Sequence, residues 1–573
     1  MENREIARLF AETADLMEIA AEDPFRIRSY RNGASVIESY TERIEDKAKR
    51  DGLTGIPGIG KGLAGAITEI LARGSFERRD LLLTKYPPTA LELLKIQGLG
   101  PKTIALLWEH YRVSTIDDLE RICQEQKLRL LPRLGAKLEE KVLRSIAQYR
   151  RRSGRFLLSF ADELAGELVA YLAATPGVDK VTPAGSLRRG KETVGDLDLL
   201  VTGPAPEAAL DRFVAHPRVG EVLGKGANKA SAKVGLQSIQ VDVRALPTES
   251  FGAAMLYFTG SKEHNITLRG RCLKMGYTLS EYGLFQLEGE ARVAGETEEE
   301  VYGKLGLAWI PPEMRENQGE IDAAAEGRLP RLLERSDIRG DLHMHTTETD
   351  GRATLEEMAG AARELGYEYI AVTDHSQALA MANGLDEARV VAFARRVREM
   401  DQSGLGIRVF SGIECDIRKD GTMDLTDDAL AELDFVIGSV HSYMNQESAE
   451  MTDRLLRALE CPHIRALGHP TGRLLLVRDA FPFDFDRVAT EAARRGVAME
   501  INASPERLDL HDTLLRQAKA RGVRFVISTD AHHPKHLLNM RYGVTMARRG
   551  WLEASDVINT LRLKEFEHLL HSL

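Results

Sequence analysis

Three aspartates carry the first chemical signal. Asp196 and Asp198, in VGDLDLLV, stand two residues apart in a stretch whose alternation predicts a strand, so both side chains project from one face. Adjacent carboxylates repel unless a divalent cation neutralises them. Asp242, in QVDVR, offers a third carboxylate from a neighbouring predicted strand. Three carboxylates so arranged suit two Mg2+ ions about 3.5–4 Å apart, which activate a hydroxyl and stabilise a leaving pyrophosphate. Upstream, Gly185-Ser186 opens a helix-like segment and offers N–H and O–H donors to a triphosphate, with Arg188 and Arg189 as charged phosphate partners. A lone DxD pair is usually a solvated strand edge; one preceded by Gly-Ser is far more specific.

A second constellation lies in the last third, where twelve of the fifteen histidines fall at or beyond His343. In RGDLHMHTTETDG, His343 and His345 occupy alternate positions and Asp350 follows in the loop. Later segments that read as strands end in His375, Glu414, His441, His469, Asp530 and His532. A single histidine in a core is normally a hydrogen-bonded structural residue. Nine His, Asp and Glu residues at predicted strand ends or in the loops that follow need another explanation. They exceed the needs of one tetrahedral ion, so two or three ions are expected, and mixed nitrogen and oxygen donors suit Zn2+, Mn2+ or Fe2+ better than Mg2+. Such ions lower the pKa of bound water toward about 7 and neutralise charge developing on phosphorus, which suits phosphodiester hydrolysis. Arg473 and Arg507, in GHPTGR and PERLD, are candidates to grip the scissile phosphate. His463, His511, His533, His536, His568 and His571 fall outside the pattern and are assigned to surface or outer-sphere roles.

These residues need elements to gather them. DLHMH, YIAVTDH, RVFSGIE, FVIGSVH, IRALGH, VAMEIN and RFVISTDAH repeat one form, an apolar strand ending in a polar residue and followed by a helical segment. Seven such units predict a β/α barrel, which collects functional residues at the C-terminal ends of its strands. The first 150 residues are helical by pattern and punctuated by GIPGIGKGLAGAI, KIQGLGPKTIALL and a weaker LPRLGAKLEEKVL. A Gly-apolar-Gly turn that opens a helix presents backbone N–H groups to a phosphate and reads no base sequence. Gly58, Gly60, Lys61, Gly98, Gly100 and Lys102 are therefore the candidate contacts to a DNA backbone.

Bulk properties agree with this division. At about 100–200 residues per domain, 573 residues imply three or four domains. The net charge of −10 hides an asymmetry: residues 1–155 hold 28 Lys and Arg against 23 Asp and Glu, and the remainder 49 against 64. No apolar run approaches the roughly 20 residues that span a bilayer. No secretory signal is visible, and four scattered cysteines without a CxxC pair point to a reducing compartment.

The motifs also carry a resemblance. SYRNGASVI with the first glycine turn is similar to the small N-terminal domain of family X DNA polymerases, and the turns resemble helix-hairpin-helix motifs. GSLRRGKETVGDLDLL resembles the nucleotidyltransferase family. YFTGSKEHNITLRG and VAGETEEEVYGKLGLAWIPPEMRE resemble the sugar- and base-binding helix and the thumb of DNA polymerase beta. DLHMHT, TDH, GIE, SVHS, GHP and TDAH resemble the PHP (polymerase and histidinol phosphatase) family. The resemblance, to bacterial and archaeal family X polymerases with a C-terminal PHP domain, covers nearly the whole chain.

It implies catalytic Asp196, Asp198 and Asp242, triphosphate contacts from Gly185, Ser186 and Arg189, Tyr257, Phe258 and Gly260 beneath the sugar, and Asn265 and Arg269 toward the nascent pair. Lys262 is expected to reach a nucleotide phosphate. Gln240 replaces an arginine of animal relatives, and Ala66 stands where some relatives carry a lyase lysine, so abasic-site β-elimination is not expected. The implied fold is α+β with α/β: helix-hairpin-helix domain 1–90, fingers-like helices 91–155, nucleotidyltransferase palm 156–246, thumb 247–316, linker 317–338 and a distorted seven-stranded PHP barrel 339–573. The implied function is gap filling in base excision repair with Mg2+ or Mn2+, joined to 3′-5′ end processing with Mn2+ or Zn2+, with abasic-site cleavage as a further activity of the same site. Expected partners are gapped or primed duplex DNA and dNTPs, in a cytoplasmic, nucleoid-associated monomer. Two rivals are a small-molecule phosphatase with a DNA-end-binding half and a pure end-binding module.

Overall fold

The computed structural model describes residues 3–40, 43–50, 52–132, 134–152, 154–402 and 406–572. It divides into two compact units, with the boundary between residues 153 and 154. Ser153 and the side chains of residues 150–152, within the basic run 149–155, lie outside the described residues, as does Arg133 of the third glycine turn. Among the described residues no helix is long and apolar enough to cross a membrane.

The first unit is helical. Asp23 accepts from the backbone N–H groups of Phe25 and Arg26 and starts helix Pro24–Ser39, while Thr115 does the same for helix Ile116–Gln124 through Asp118. The two clear glycine turns share one construction. Gly58 and Gly98 take positive φ, 87° and 100°, and Gly60 and Gly100 stand just before helices Lys61–Arg73 and Pro101–Tyr111. In each turn the apolar residues, Ile56 with Ile59 and Ile96 with Leu99, are buried in the core, leaving the glycines and Lys61 or Lys102 outside. In the third turn Gly135 holds the place of Gly60 and Gly100, just before helix Ala136–Arg152. Ala66 is buried in the first core.

The second unit contains two main sheets. The palm sheet runs Lys180–Pro183, Asp196–Thr202, Ile239–Ala245, Lys229–Val234 and Val219–Lys225 in spatial order. Asp196–Thr202 and Ile239–Ala245 pair in parallel with Asp198 opposite Asp242, so the three aspartates share one face. Helices Phe251–Thr259 and Lys262–Lys274 follow, then a three-stranded sheet and helix Glu298–Lys304. The stretch expected to be a linker is packed: Ile321, Ala324 and Leu332 join the thumb core and Leu333 the core of palm and barrel.

The barrel sheet has seven parallel strands in chain order: Gly340–Asp341, Tyr369–Val372, Arg408–Asp416, Phe435–Ser439, Ile464–Leu467, Ala498–Asn502 and Phe525–Ser528. A parallel bridge between Met344 and Ala531 nearly closes it. The first strand is only two residues long, so His343 and His345 lie beyond it rather than within it, on either side of that closing bridge.

Palm and thumb are tied by a buried ion network around Glu298. Its carboxylate accepts from Arg188 at 2.7 and 2.8 Å, from Arg315 at 2.7 and 3.1 Å and from Trp309 Nε1 at 3.1 Å. Burial pushes the Glu298 pKa up, but Arg188 and Arg315 hold it well below the usual range. Arg315 is fully buried, so Glu298→Gln will leave it uncompensated and cost about 3–5 kcal/mol. The urea midpoint followed by tryptophan fluorescence measures this. A depressed carboxylate pKa stabilises above the unfolded value near 4.3 and loses that contribution as pH falls, so the wild-type advantage will vanish in acid.

Candidate functional site

The palm carboxylates open onto a cavity of ≈ 460 Å3. Its lining brings together Asp196, Asp198 and all eight candidate nucleotide contacts: Gly185, Ser186, Arg189, Tyr257, Phe258, Gly260, Asn265 and Arg269. Lys262 lines it too. Gly185 takes φ of 63° at the start of the short helix Gly185–Arg188, and a Cβ there would stand 3.0 Å from Asp198 Oδ2. This close approach sets the backbone donors of the Gly-Ser turn beside the carboxylates. Burial and the neighbouring charges of Asp196 and Asp242 push Asp198 up to about 6. Oxygen donors repelling one another this strongly are a fitting set for a divalent cation.

Asp242 differs. Burial pushes its pKa up, yet hydrogen bonds from Lys229, Ser231 and Gln240 hold it below the usual range. Lys229 Nζ lies 2.5 Å from Asp242 Oδ2, and Gln240 Nε2 donates to Oδ1 at 3.2 Å. Elsewhere in the lining, Asn265 Nδ2 donates to Tyr257 O at 2.8 Å, and the Phe258 ring lies under the Arg244 guanidinium at 4.3 Å. The backbone turn between the two helices is thereby fixed to the aromatic pair.

In the barrel, all nine candidate ligands meet in one cup at the C-terminal strand ends. Three overlapping sets hold donor atoms within 4.8 Å of one another: His345, Asp350, His375 and His532; His343, His345 and Asp530; His375, Glu414 and His441. Glu414 is the hub, with Oε2 2.9 Å from His375 Nδ1 and 3.5 Å from His343 Nε2. Its Oε1 lies 2.8 Å from His469 Nε2 and 3.3 Å from His441 Nε2. Asp350 joins the loop side, 3.5 Å from His375 and 3.4 Å from His532.

The electrostatics match a ligand set. Burial pushes Glu414 up, but the imidazoles of His441, His343 and His375 hold it far below the usual range, and burial with His375 and His532 drives His345 down to about 3. An ionised carboxylate and a neutral imidazole are the forms that bind metal. Burial opposes charge on His343, His375, His441 and His532, yet the carboxylates around them raise all four, so a cation bound there would displace protons from these imidazoles. His343 Nε2 and His345 Nδ1 are buried without a hydrogen-bond partner, an arrangement that a cation would satisfy. His469 and Asp530 hold left-handed backbone at φ 26° and 53°, the kind of strain that collects at functional sites.

Family models match along most of the chain: "Helix-hairpin-helix domain" at residues 1–76, "SAM-like Helix-hairpin-helix tandem" at 90–148, "DNA polymerase beta thumb" at 254–316 and "PHP domain" at 341–504. A Bacillus subtilis protein named "DNA polymerase/3'-5' exonuclease PolX" is 36% identical over 571 residues, covering 100% of this chain and 99% of that one. The chain belongs to the family X DNA polymerases that carry a C-terminal PHP domain. Arabidopsis thaliana DNA polymerase lambda is 27% identical over 345 residues, 55% of this chain and 62% of its own. A "Probable phosphatase" of Acetivibrio thermocellus is 29% identical over 205 residues, 34% of this chain and 78% of its own.

In this family X chain two arginines depart from expectation. Arg188 does not face the cavity; its guanidinium is occupied by Glu298 and by Thr259 Oγ1 at 2.7 Å. Arg473 is buried and donates to the carbonyls of Arg507 and Leu508 and, at 2.8 Å, to Glu192 of the palm, so it braces a loop instead of gripping phosphate. Arg507 does face the cup, with Nε 3.5 Å from Asp530 and Nη1 buried without a partner. Among the six other histidines, His536 Nδ1 accepts from the His532 backbone N–H at 3.3 Å.

Four residues escaped the sequence reading. Arg155 lines the palm cavity, and Lys229 pairs with Asp242; neither belongs to a motif. Glu500 holds His343 Nδ1 at 2.6 Å and the His469 backbone N–H at 2.5 Å, and Asp416 stands 3.4 Å from His441 Nδ1. Both carboxylates stand where they can orient imidazoles of the candidate ligand set. The available signal was VAMEIN, the one barrel strand left without a ligand. Glu500→Gln will weaken metal binding at the cup by about 10–100-fold, measured by Mn2+ titration calorimetry.

Proposed function

We propose that the chain fills short gaps in DNA through Asp196, Asp198 and Asp242, and trims 3′ ends through the nine-residue cup of the PHP domain. The full-length kinship to a protein named as both polymerase and 3′-5′ exonuclease carries this reading. The cavity that gathers Asp196 and Asp198 with all eight nucleotide-contact candidates supports it, with Asp242 opposite Asp198 on the next strand.

At the palm, Asp196, Asp198 and Asp242 would hold Mg2+ or Mn2+, which supplies Lewis-acid activation of the primer hydroxyl and neutralises the leaving pyrophosphate. Arg189, Ser186 and the Gly185 backbone bind and orient the triphosphate. Tyr257, Phe258 and Gly260 bound the sugar and are the residues that would exclude a ribose hydroxyl. Asn265 and Arg269 face the nascent pair, and Lys262 and Arg155 add positive charge. Gly58, Gly60, Lys61, Gly98, Gly100 and Lys102 grip backbone phosphates without reading sequence.

At the cup, His343, His345, Asp350, His375, Glu414, His441, His469, Asp530 and His532 would hold two or three Mn2+, Zn2+ or Fe2+ ions. These would activate water toward a phosphodiester. Arg507 steadies the scissile phosphate, and Glu500 and Asp416 fix the imidazoles. The reading places a monomer in the cytoplasm, associated with the nucleoid.

The test uses a one-nucleotide-gapped DNA labelled on the primer, in Mn2+, with and without dNTPs. Extension with dNTPs and shortening without them is the expected pair of outcomes. Extension alone would assign the cup to another phosphate ester, and neither product would sink the polymerase reading.

A further inference from the structure

The PHP helix Met540–Arg549 ends against the palm loop that follows Gly185-Ser186. The approach is close: Gly190 takes φ of 64°, and a Cβ there would lie 2.1 Å from Thr545 Cγ2. Arg549, 2% exposed, reaches across. Its Nη1 donates to the backbone carbonyl of Arg189 at 2.7 Å and to Glu316 Oε1 at 3.0 Å, and its Nη2 donates to Asp512. Two of these three acceptors belong to the polymerase half. A buried guanidinium is costly unless fully paired, and this one completes its pairing only across the domain boundary.

The same Glu316 oxygen accepts from Arg189 Nε at 3.1 Å and lies 3.8 Å from Lys191 Nζ. Arg189 also donates through Nη1 to Thr259 O, and it lines the palm cavity. Three cations, Arg189, Lys191 and Arg549, thus face two carboxylates, Glu316 and Asp512. The cluster carries one surplus positive charge, and of its members Arg189 lines the cavity where a triphosphate would bind. Removing Arg549 cancels that surplus, frees Glu316 to draw Arg189 away from the cavity, and releases the Arg189 backbone.

We propose that Arg549 of the PHP domain is a positioning residue for the polymerase site, holding Arg189 for the incoming triphosphate. This rests on the reading of Arg189 as a triphosphate contact. The PHP domain would then set part of the dNTP affinity of the polymerase.

The test measures dNTP KM and kcat on one-nucleotide-gapped DNA with the full chain, with thermal midpoints as the folding control. Arg549→Met will raise KM about 10-fold with kcat within about 2-fold, the signature of lost uniform binding. Arg549→Lys keeps the charge but not the planar fork and will raise KM about 3-fold. Because Arg549 acts through Arg189, the double variant Arg189→Met/Arg549→Met will have the KM of Arg189→Met alone. An unchanged KM in both Arg549 variants, or fully additive effects, beside a raised KM in Arg189→Met overturns the proposal alone. An unchanged KM in Arg189→Met overturns the reading of Arg189, and the proposal falls with it. If Arg549→Met does not fold, Arg549→Lys decides by the same criterion.

Discussion

Asp198→Asn will abolish nucleotide incorporation while leaving 3′-end hydrolysis intact. Asp198 sits between Asp196 on its own strand and Asp242 opposite on the next, with the Gly185 turn against its outer oxygen. It is the carboxylate whose pKa is raised to about 6, so it is the one whose ionisation most depends on a bound cation. Asparagine keeps the shape and removes the charge. Transition-state charge stabilisation by such ions is worth several kcal/mol, and each 1.36 kcal/mol is tenfold, so the loss will be at least about 10³-fold in kcat. Single-turnover incorporation on gapped DNA measures it, beside primer shortening without dNTPs. Equal loss of both activities would mean that the palm and the cup are not separate centres.

Glu414→Gln will have the converse effect. Glu414 is fully enclosed and stands within 3.5 Å of His343, His375, His441 and His469. A neutral amide there removes the negative charge that four imidazoles share. It also places N–H donors against nitrogen lone pairs meant for a metal. The expected outcome is loss of at least one bound ion and a fall of about 10³-fold or more in hydrolysis, on the same several-kcal/mol basis. Metal content by mass spectrometry and primer shortening measure the two effects, and gap filling will persist. Retention of full metal content with full hydrolysis would remove Glu414 from the centre.

Much of both sites was readable along the chain, for a physical reason. Strand ends in a β/α barrel converge by topology, so a His, Asp or Glu at each end is a ligand candidate wherever the strands begin. The DxD pair is similarly local, because two-residue alternation alone puts Asp196 and Asp198 on one face. Glycine turns declare themselves through the positive φ that Gly58 and Gly98 adopt. The helical N-terminal unit, the palm and the barrel therefore followed from pattern and resemblance together.

What only the tertiary structure decided is where charged side chains point. Arg188 and Arg189 are neighbours with identical chemistry, yet one is locked by Glu298 and the other lines the cavity. Arg473 and Arg507 divide in the same way between a brace and the cup. Lys229 meets Asp242 because the antiparallel register sets Ser231 opposite that aspartate, a pairing that no local window contains. Arg549 is a lone cation at a helix end until the palm supplies its acceptors. Periodicity and motif spacing specify faces and strand ends, since these are properties of the local backbone. The partner of a long charged side chain is set by whatever the fold brings within about 3 Å of it.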